Sequence, residues 1–260
     1  MEYVEEGSGP PLLLLHGNPT SSYLYRNVIA GLRDRFRCIA PSYPGFGGSP
    51  VPPGYGFTPV EHAAVLERFV VELDLRDVTM MVQDWGGPIG FAVAGRHPSR
   101  FSRFVVGNTW AWPMEDAGTR AFSAFLGGPI GRRLILRRNF FATTVMRRSV
   151  RRPFPSGALD HYAASFPTPE SRIPTWVFPR EIMGSRAFLR GVEQGLEPLR
   201  DRPALIVWPD SDVAFSRPGI RERWEALFPD HKTVTLEGVG HYIQEEAPEE
   251  IVEAITSWTS

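Results

Sequence analysis

The sequence predicts an α/β fold: a mostly parallel sheet with helices on both faces, interrupted by an inserted helical cap. Three observations carry this. Apolar runs of strand length alternate with helical segments across short loops, the pattern of parallel strands sandwiched between helix layers. Several of these runs (Leu12 to Leu15, Val78 to Val82, Ala204 to Trp208) are apolar without alternation, as strands buried on both faces are. The alternation stops between Pro113 and about Glu197, then resumes. At 260 residues, 42% hydrophobic and 22% charged, the chain suits one α/β domain with an insertion. Residues 1–112 and 198–260 read as the core, and 113–197 as the cap.

The elements follow in order. Leu12 to Leu15 read as a central strand, followed by the loop His16-Gly17-Asn18-Pro19. Thr20 or Ser21 can cap a helix through about Leu32. Phe36 to Ala40 is the next strand, ending in a loop rich in turn residues, Pro41 to Ser49. Thr58-Pro59-Val60-Glu61 is a capping box with proline at the first helical position, opening a helix to about Leu73. Val78 to Val82 is a strand that turns through Asp84-Trp85-Gly86-Gly87 into a helix carrying Ile89, Phe91, Ala92 and Val93. Phe101 to Gly107 is a further strand, ending in Asn108-Thr109-Trp110. In the insertion, helix-like pieces such as Arg120 to Leu126 are broken by glycine and proline, and the apolar and aromatic content is too high for disorder. Ala204 to Trp208 is a strand, Ile220 to Leu227 a helix and Lys232 to Leu236 the last strand. A final helix starts near Pro248 and runs to about Trp258.

Composition bounds the function. The net charge of −1 gives no bulk attraction to nucleic acid or to a membrane. The insertion carries Arg132, Arg133, Arg137, Arg138, Arg147, Arg148, Arg151 and Arg152. With no nucleic-acid motif present, they read as a solvated helix face paired with acids elsewhere. The one cysteine, Cys38, sits in an apolar strand and reads as a small buried hydrophobe. No disulfide can form within the chain, so a reducing compartment is compatible. The N-terminal MEYVEEGSGPP has neither a basic region nor an apolar signal core, and LLLL is too short to span a bilayer. A cytoplasmic protein is expected.

A strand that turns sharply into a helix with one reactive side chain at the turn is a nucleophile elbow. Here that side chain is Asp84. A carboxylate is already ionised at neutral pH and can attack saturated carbon to form an ester without an activating base. Alone, Asp84 reads better as the cap of the following helix. In a parallel sheet, however, function gathers at the C-terminal ends of the strands, and Asn18, Asp84, Asp212 and His241 all fall there. Nucleophile, acid and histidine follow the chain order of the α/β-hydrolase triad. Singly, each of the others reads as a turn or loop residue; their coincidence points to a site. The chain contains no G-x-S-x-G, HExxH, paired CxxC or Walker sequence, so serine esterase, metal and nucleotide readings have no motif behind them.

The pieces HGNP with TSSYLYR, RCIAPSYPGFGGS, VQDWGG, VVGNTWAWP, WPDSDVAF and GVGHYIQEEAPEEI resemble the haloalkane dehalogenases of the α/β-hydrolase superfamily over nearly the whole chain. GNTWAWP is similar to the subgroup whose catalytic acid follows the strand after the cap; Gly107-Asn108-Thr109 holds no carboxylate, which supports Asp212. The resemblance implies that Asp84 displaces halide to form an alkyl ester and that the Trp85 indole and Asn18 amide bind the halide. It implies that His241, oriented by Asp212, activates a water to cleave the ester. The backbone N–H groups of Asn18 and Trp85 would form the oxyanion hole. Substrate and product partners would be a small halogenated hydrocarbon and halide, with no metal or organic cofactor. Trp110, Trp112, Phe122, Phe125, Phe141 and Trp176 are candidates for an apolar pocket.

The chain departs from the family pattern in several places. Val82 stands where a small residue is the ideal, Ser42 where relatives usually have Asp, and Pro209-Asp210-Ser211 where they tend to have Gly and Lys. Asp210 is thus a rival acid. Relatives carry about one further strand pair before Tyr3-Val4, so the sheet is expected to lack an edge strand or the start to lie downstream of the true one. An epoxide hydrolase would use the same nucleophile but needs cap tyrosines, and Tyr162 is the only tyrosine between Pro113 and Glu197. A catalytically silent binding protein of the same fold is the third reading.

Overall fold

The computed structural model describes residues 1–259. Among them a seven-stranded sheet forms from β1 (Tyr3–Glu6), β2 (Pro11–Leu15), β3 (Arg37–Pro41), β4 (Val78–Asp84), β5 (Phe101–Thr109), β6 (Ala204–Pro209) and β7 (His231–Leu236), in the order β1-β3-β2-β4-β5-β6-β7. β1 runs antiparallel to β3, pairing Tyr3 with Pro41; the remaining pairs are parallel. Six strands stand where the apolar runs predicted them, to within one or two residues. β1 left no such signal, because all four of its residues are exposed and no apolar face marks it.

The LLLL run shows why central strands read as unbroken apolar stretches. Leu13 and Leu15 face one helix layer, with Leu66, Ile89 and Phe91. Leu12 and Leu14 face the other, with Val28, Ile29 and Ile251. All four leucines are fully buried, so the period-two alternation of a strand shows no polar side.

Helices α1 (Arg26–Leu32), α2 (Pro59–Glu72) and α3 (Gly86–Arg96) follow β2, β3 and β4. A 3₁₀ turn at Ser22–Tyr25 precedes α1, with the Ser21 side chain at its start. The Thr58–Glu61 capping box forms as predicted: Thr58 Oγ1 accepts the Glu61 N–H and the Glu61 carboxylate accepts the Thr58 N–H.

Between β5 and β6 the described residues form helices and no strand: α4 (Ala117–Gly127), α5 (Pro129–Arg138), a π turn at Phe141–Val145, α6 (Met146–Ser149), α7 (Ala158–Ala164), α8 (Ile173–Gly184) and α9 (Arg186–Gln194). α10 (Ile220–Leu227), α11 (Ile243–Glu246) and α12 (Pro248–Trp258) complete the chain.

The arginine run departs from its predicted pairing. Of the eight arginines, only Arg152 forms an ion pair among the described residues, with Glu250 at 2.5 Å. The reason lies in the sequence: residues 117–159 contain no Asp or Glu, so neighbouring turns supply no partner. Arg132 instead lies over the Trp176 ring, 5.2 Å from its centroid, where the ring face attracts a cation.

Candidate active site

The site is built at the junction of β4 and α3. Asp84 adopts φ +49°, a left-handed conformation that few non-glycine residues hold without support from their surroundings. The support is close packing. A Cβ on Gly86 would collide with the carbonyl oxygen of Leu15, and one on Gly87 with the Thr109 hydroxyl. That hydroxyl donates to the backbone carbonyl of Asp84 itself. The two glycines let β2 and β5 press against the turn, and the turn lifts the Asp84 side chain off the sheet.

The Asp84 carboxylate is held on both sides. Oδ1 accepts the backbone N–H of Asn18 at 2.8 Å, and the nearby N–H of Trp85 also favours the charged carboxylate. Oδ2 faces His241 Nε2 at 3.7 Å. Burial raises the Asp84 pKa above the ordinary aspartate value, against the opposing pull of His241 and the two N–H donors.

Behind the imidazole, His241 Nδ1 lies 2.9 Å from Asp212 Oδ2, and the loop N–H of Ala214 donates to Asp212 Oδ1 at 2.8 Å. Burial alone would lower the His241 pKa. The carboxylates of Asp212, Asp84 and Glu246 outweigh it and raise the pKa to about 9. Asp212 is correspondingly held below its ordinary value, its burial outweighed by His241, Asn108 and Ala214. A pH dependence follows. With His241 raised from near 6.5 to about 9, its contribution to stability is fully present below pH 6.5 and is lost as pH rises through 9. Thermal melts should therefore show the midpoint falling across that window, and falling less in His241→Gln. Equal slopes in the two proteins would contradict this assignment.

The rival acid takes no part in this arrangement. Asp210 is exposed and accepts the N–H of Gly238 at 2.8 Å, whereas Asp212 is buried. Two polar residues that the sequence reading gave no task are also central. Buried Asn108 donates from Nδ2 to Asp212 Oδ2 at 2.6 Å and to the His241 carbonyl at 2.7 Å. Gln83 Nε2 donates to the same carbonyl at 3.1 Å. The signal was there: a polar amide directly after the apolar stretch of each of two strands, Gln83 in β4 and Asn108 in β5.

Asp84, Asn18, Trp85 and His241 all line one cavity of about 360 Å³. Its apolar wall includes Trp110, Met114, Phe122, Phe141, Val145 and Ile182. Of the aromatic candidates, Trp110, Phe122 and Phe141 line it. The others do not. Trp112 packs against Trp224, 5.0 Å between ring centroids. Phe125 is 50% exposed on the outside of α4. Trp176 donates to the Gly127 carbonyl at 2.9 Å within the insertion. The aliphatic wall residues carried no signal that separates them from ordinary core.

Asn18 Nδ2 donates to the Thr175 carbonyl at 3.3 Å. An amide nitrogen carries a second hydrogen, which remains for a ligand. The Trp85 ring is fixed between Trp110, edge-on at 4.8 Å, and Phe178, stacked at 5.1 Å. Among the described residues no cluster of His, Cys, Asp and Glu is arranged to hold a metal ion, and no helix is long and apolar enough to cross a membrane.

Residues 10–248 match the family described as alpha/beta hydrolase fold. The chain is 43% identical over 256 residues to haloalkane dehalogenase 2 of Mycobacterium bovis, covering 98% of this chain and 90% of that protein. It is 35% identical to a haloalkane dehalogenase of Mesorhizobium japonicum, over 99% of this chain and 87% of the other. It is also 31% identical to a cis-3-alkyl-4-alkyloxetan-2-one decarboxylase of Xanthomonas campestris pv. campestris, over 99% and 91% respectively. The crystal structure of haloalkane dehalogenase DbeA from Bradyrhizobium elkani superposes with a TM-score of 0.89 at 28% identity, covering 98% of this chain and 92% of that one.

Proposed function

The chain belongs to the haloalkane dehalogenase family of α/β-hydrolase-fold enzymes, and we propose that it cleaves carbon–halogen bonds through an ester on Asp84. The observation that carries this is the Asp84 carboxylate itself. Oδ1 accepts the backbone N–H of Asn18 at 2.8 Å, and Oδ2 lies 3.7 Å from His241 Nε2. Both border an apolar cavity that Asn18 and Trp85 share.

In the first step a carboxylate oxygen of Asp84 attacks the halogen-bearing carbon. The carbon–halogen bond breaks and the halide leaves with its electron pair. The Trp85 indole N–H, a donor with no acceptor function, and the free hydrogen of the Asn18 amide receive it. In the second step His241 takes a proton from a water, which attacks the ester carbonyl carbon. The oxyanion forms against the N–H groups of Asn18 and Trp85; losing one such donor typically costs about 2.7–4 kcal/mol. Collapse releases the alcohol and restores Asp84. Asp212 fixes the imidazole tautomer and balances its charge. The first step also prepares the second. Esterification removes the Asp84 charge, one of those that keep His241 protonated, and so lowers the histidine pKa toward that of a working base. A halide and a proton leave per turnover, and Asp84, His241 and water complete the cycle without a cofactor. Residues 113–197 act as the cap that supplies the apolar wall. On the near-neutral net charge and the buried Cys38 we take the enzyme to act in the cytoplasm, without a nucleic-acid or membrane partner.

The epoxide-hydrolase reading finds no cap tyrosine among the residues that line the cavity. Tyr162 is buried, donates to Glu245 Oε1 at 2.5 Å and is not among the residues that line the cavity. The discriminating experiment supplies 1,2-dibromoethane and styrene oxide in parallel and follows bromide and diol. Bromide release without diol is expected. Diol without bromide would instead mark an epoxide hydrolase, and neither product a binding protein.

A further inference from the structure

The loop that carries His241 is tied to the insertion by one carboxylate. Glu246 ends α11, five residues after the histidine, and is 6% exposed. Its Oε2 accepts three backbone N–H groups: Gly240 at 2.9 Å from the histidine loop, and Arg151 at 2.7 Å and Arg152 at 2.9 Å from the segment after α6. Its Oε1 accepts the N–H of Tyr242 at 3.2 Å. The His241 N–H donates to the carbonyl of Ser149 at 2.8 Å. The histidine loop and residues 149–152 therefore close on each other around a single side chain. A Cβ on Gly240 would collide with the Ser149 carbonyl oxygen, so the approach is close enough to need glycine.

Four donors converge on two oxygens, and an ionised carboxylate is acceptor-only. Glutamine has the same shape but turns one of those oxygens into a donor. In place of Glu246 it would leave at least one backbone N–H facing another N–H, in a site where an unmatched buried donor is costly. The neighbouring Glu245 anchors α11 on its other side. It takes both guanidinium nitrogens of Arg26, at 2.5 and 2.8 Å, and the Tyr162 hydroxyl from α7.

We propose that Glu246 is a positioning residue for the hydrolytic step: it sets the height of the His241 imidazole between Asp212 and Asp84 by clamping its loop to residues 149–152. This rests on His241 acting as the base that cleaves the Asp84 ester. The two chemical steps then respond differently to its loss. Attack by Asp84 does not use His241, and cleavage of the ester does. Displacing a reacting group by about 1 Å can cost roughly 10²-fold in rate, and here that cost falls on one step.

The test is rapid-quench measurement of bromide from 1,2-dibromoethane, with intact mass, on the unmutated protein, Glu246→Gln, Glu246→Asp and His241→Phe. Glu246→Gln should release one equivalent of bromide at the unmutated rate, then turn over roughly 10²-fold more slowly, with the alkyl mass held on the protein. Glu246→Asp, which keeps the charge on a shorter stem, should restore most of the steady-state rate while still showing a burst. If Glu246→Gln does not fold, the burst in Glu246→Asp decides. Bromide burst and turnover falling in proportion would overturn the proposal, as would both remaining unchanged. If the ester accumulates in His241→Phe but in neither Glu246 variant, the positioning role falls and the mechanism stands. If it does not accumulate in His241→Phe, the mechanism falls and takes the positioning role with it.

Discussion

Asp84→Ala should lower bromide release from 1,2-dibromoethane by at least about 10⁴-fold, the scale on which loss of a covalent nucleophile acts. Among the described residues no other carboxylate on the cavity is free to replace it. Asp212 also borders the cavity, but Oδ2 is engaged by His241 and Asn108 and Oδ1 by the N–H of Ala214. The variant should remain folded. The substitution removes a carboxylate whose burial disfavours its charge. Against this, alanine must hold φ +49°, at a cost of roughly 1–2 kcal/mol for a left-handed residue. That corresponds to a shift of a few degrees, at about 2–4 °C per kcal/mol for a chain of this size. A melting transition close to that of the unmutated protein, with bromide release lost, is the expected pair of results. Bromide release above a hundredth of the unmutated rate would assign the attack to another group.

His241→Phe should separate the two steps. Asp84 still attacks, because its carboxylate needs no base, and bromide appears in one equivalent per site. The reaction then stops, with kcat lowered on the same order of about 10⁴-fold, and peptide mapping finds the added alkyl group on Asp84. Phenylalanine suits the cavity here because the imidazole is flanked by Phe215, stacked at 5.7 Å, and Tyr242, edge-on at 4.8 Å. An unmodified Asp84 after exposure to a substrate that the unmutated enzyme turns over would remove His241 from the second step.

Much of this arrangement was legible in the sequence. Strands buried on both faces, such as β2 and β4, declare themselves as short apolar runs. The turn after β4 is marked by two glycines that its packing against Leu15 and Thr109 requires. Asn18, Asp212 and His241 could be placed at strand ends because a parallel sheet puts all those ends on one edge. What could not be read depends on contacts between segments far apart in the chain. Asn108 was noticed for lacking a carboxylate, yet its amide holds Asp212 and the His241 carbonyl together. Trp176 and Phe122 look alike as cap aromatics, but one faces the interior of the insertion and the other the cavity. β1 gave no pattern because an exposed edge strand has no buried face to produce one. The arginines were expected to find acids, and the acid-free stretch from 117 to 159 shows why seven of the eight form no ion pair among the described residues.

The central claim is that water attacks the Asp84 ester and not the substrate carbon. A single turnover in H₂¹⁸O, with enzyme in excess over 1,2-dibromoethane, tests it most directly. Water that attacks the ester carbonyl leaves its oxygen in the carboxylate. The account therefore predicts ¹⁸O in the peptide containing Asp84 and unlabelled oxygen in the alcohol. Label in the alcohol of that first turnover, with an unlabelled Asp84, would contradict it.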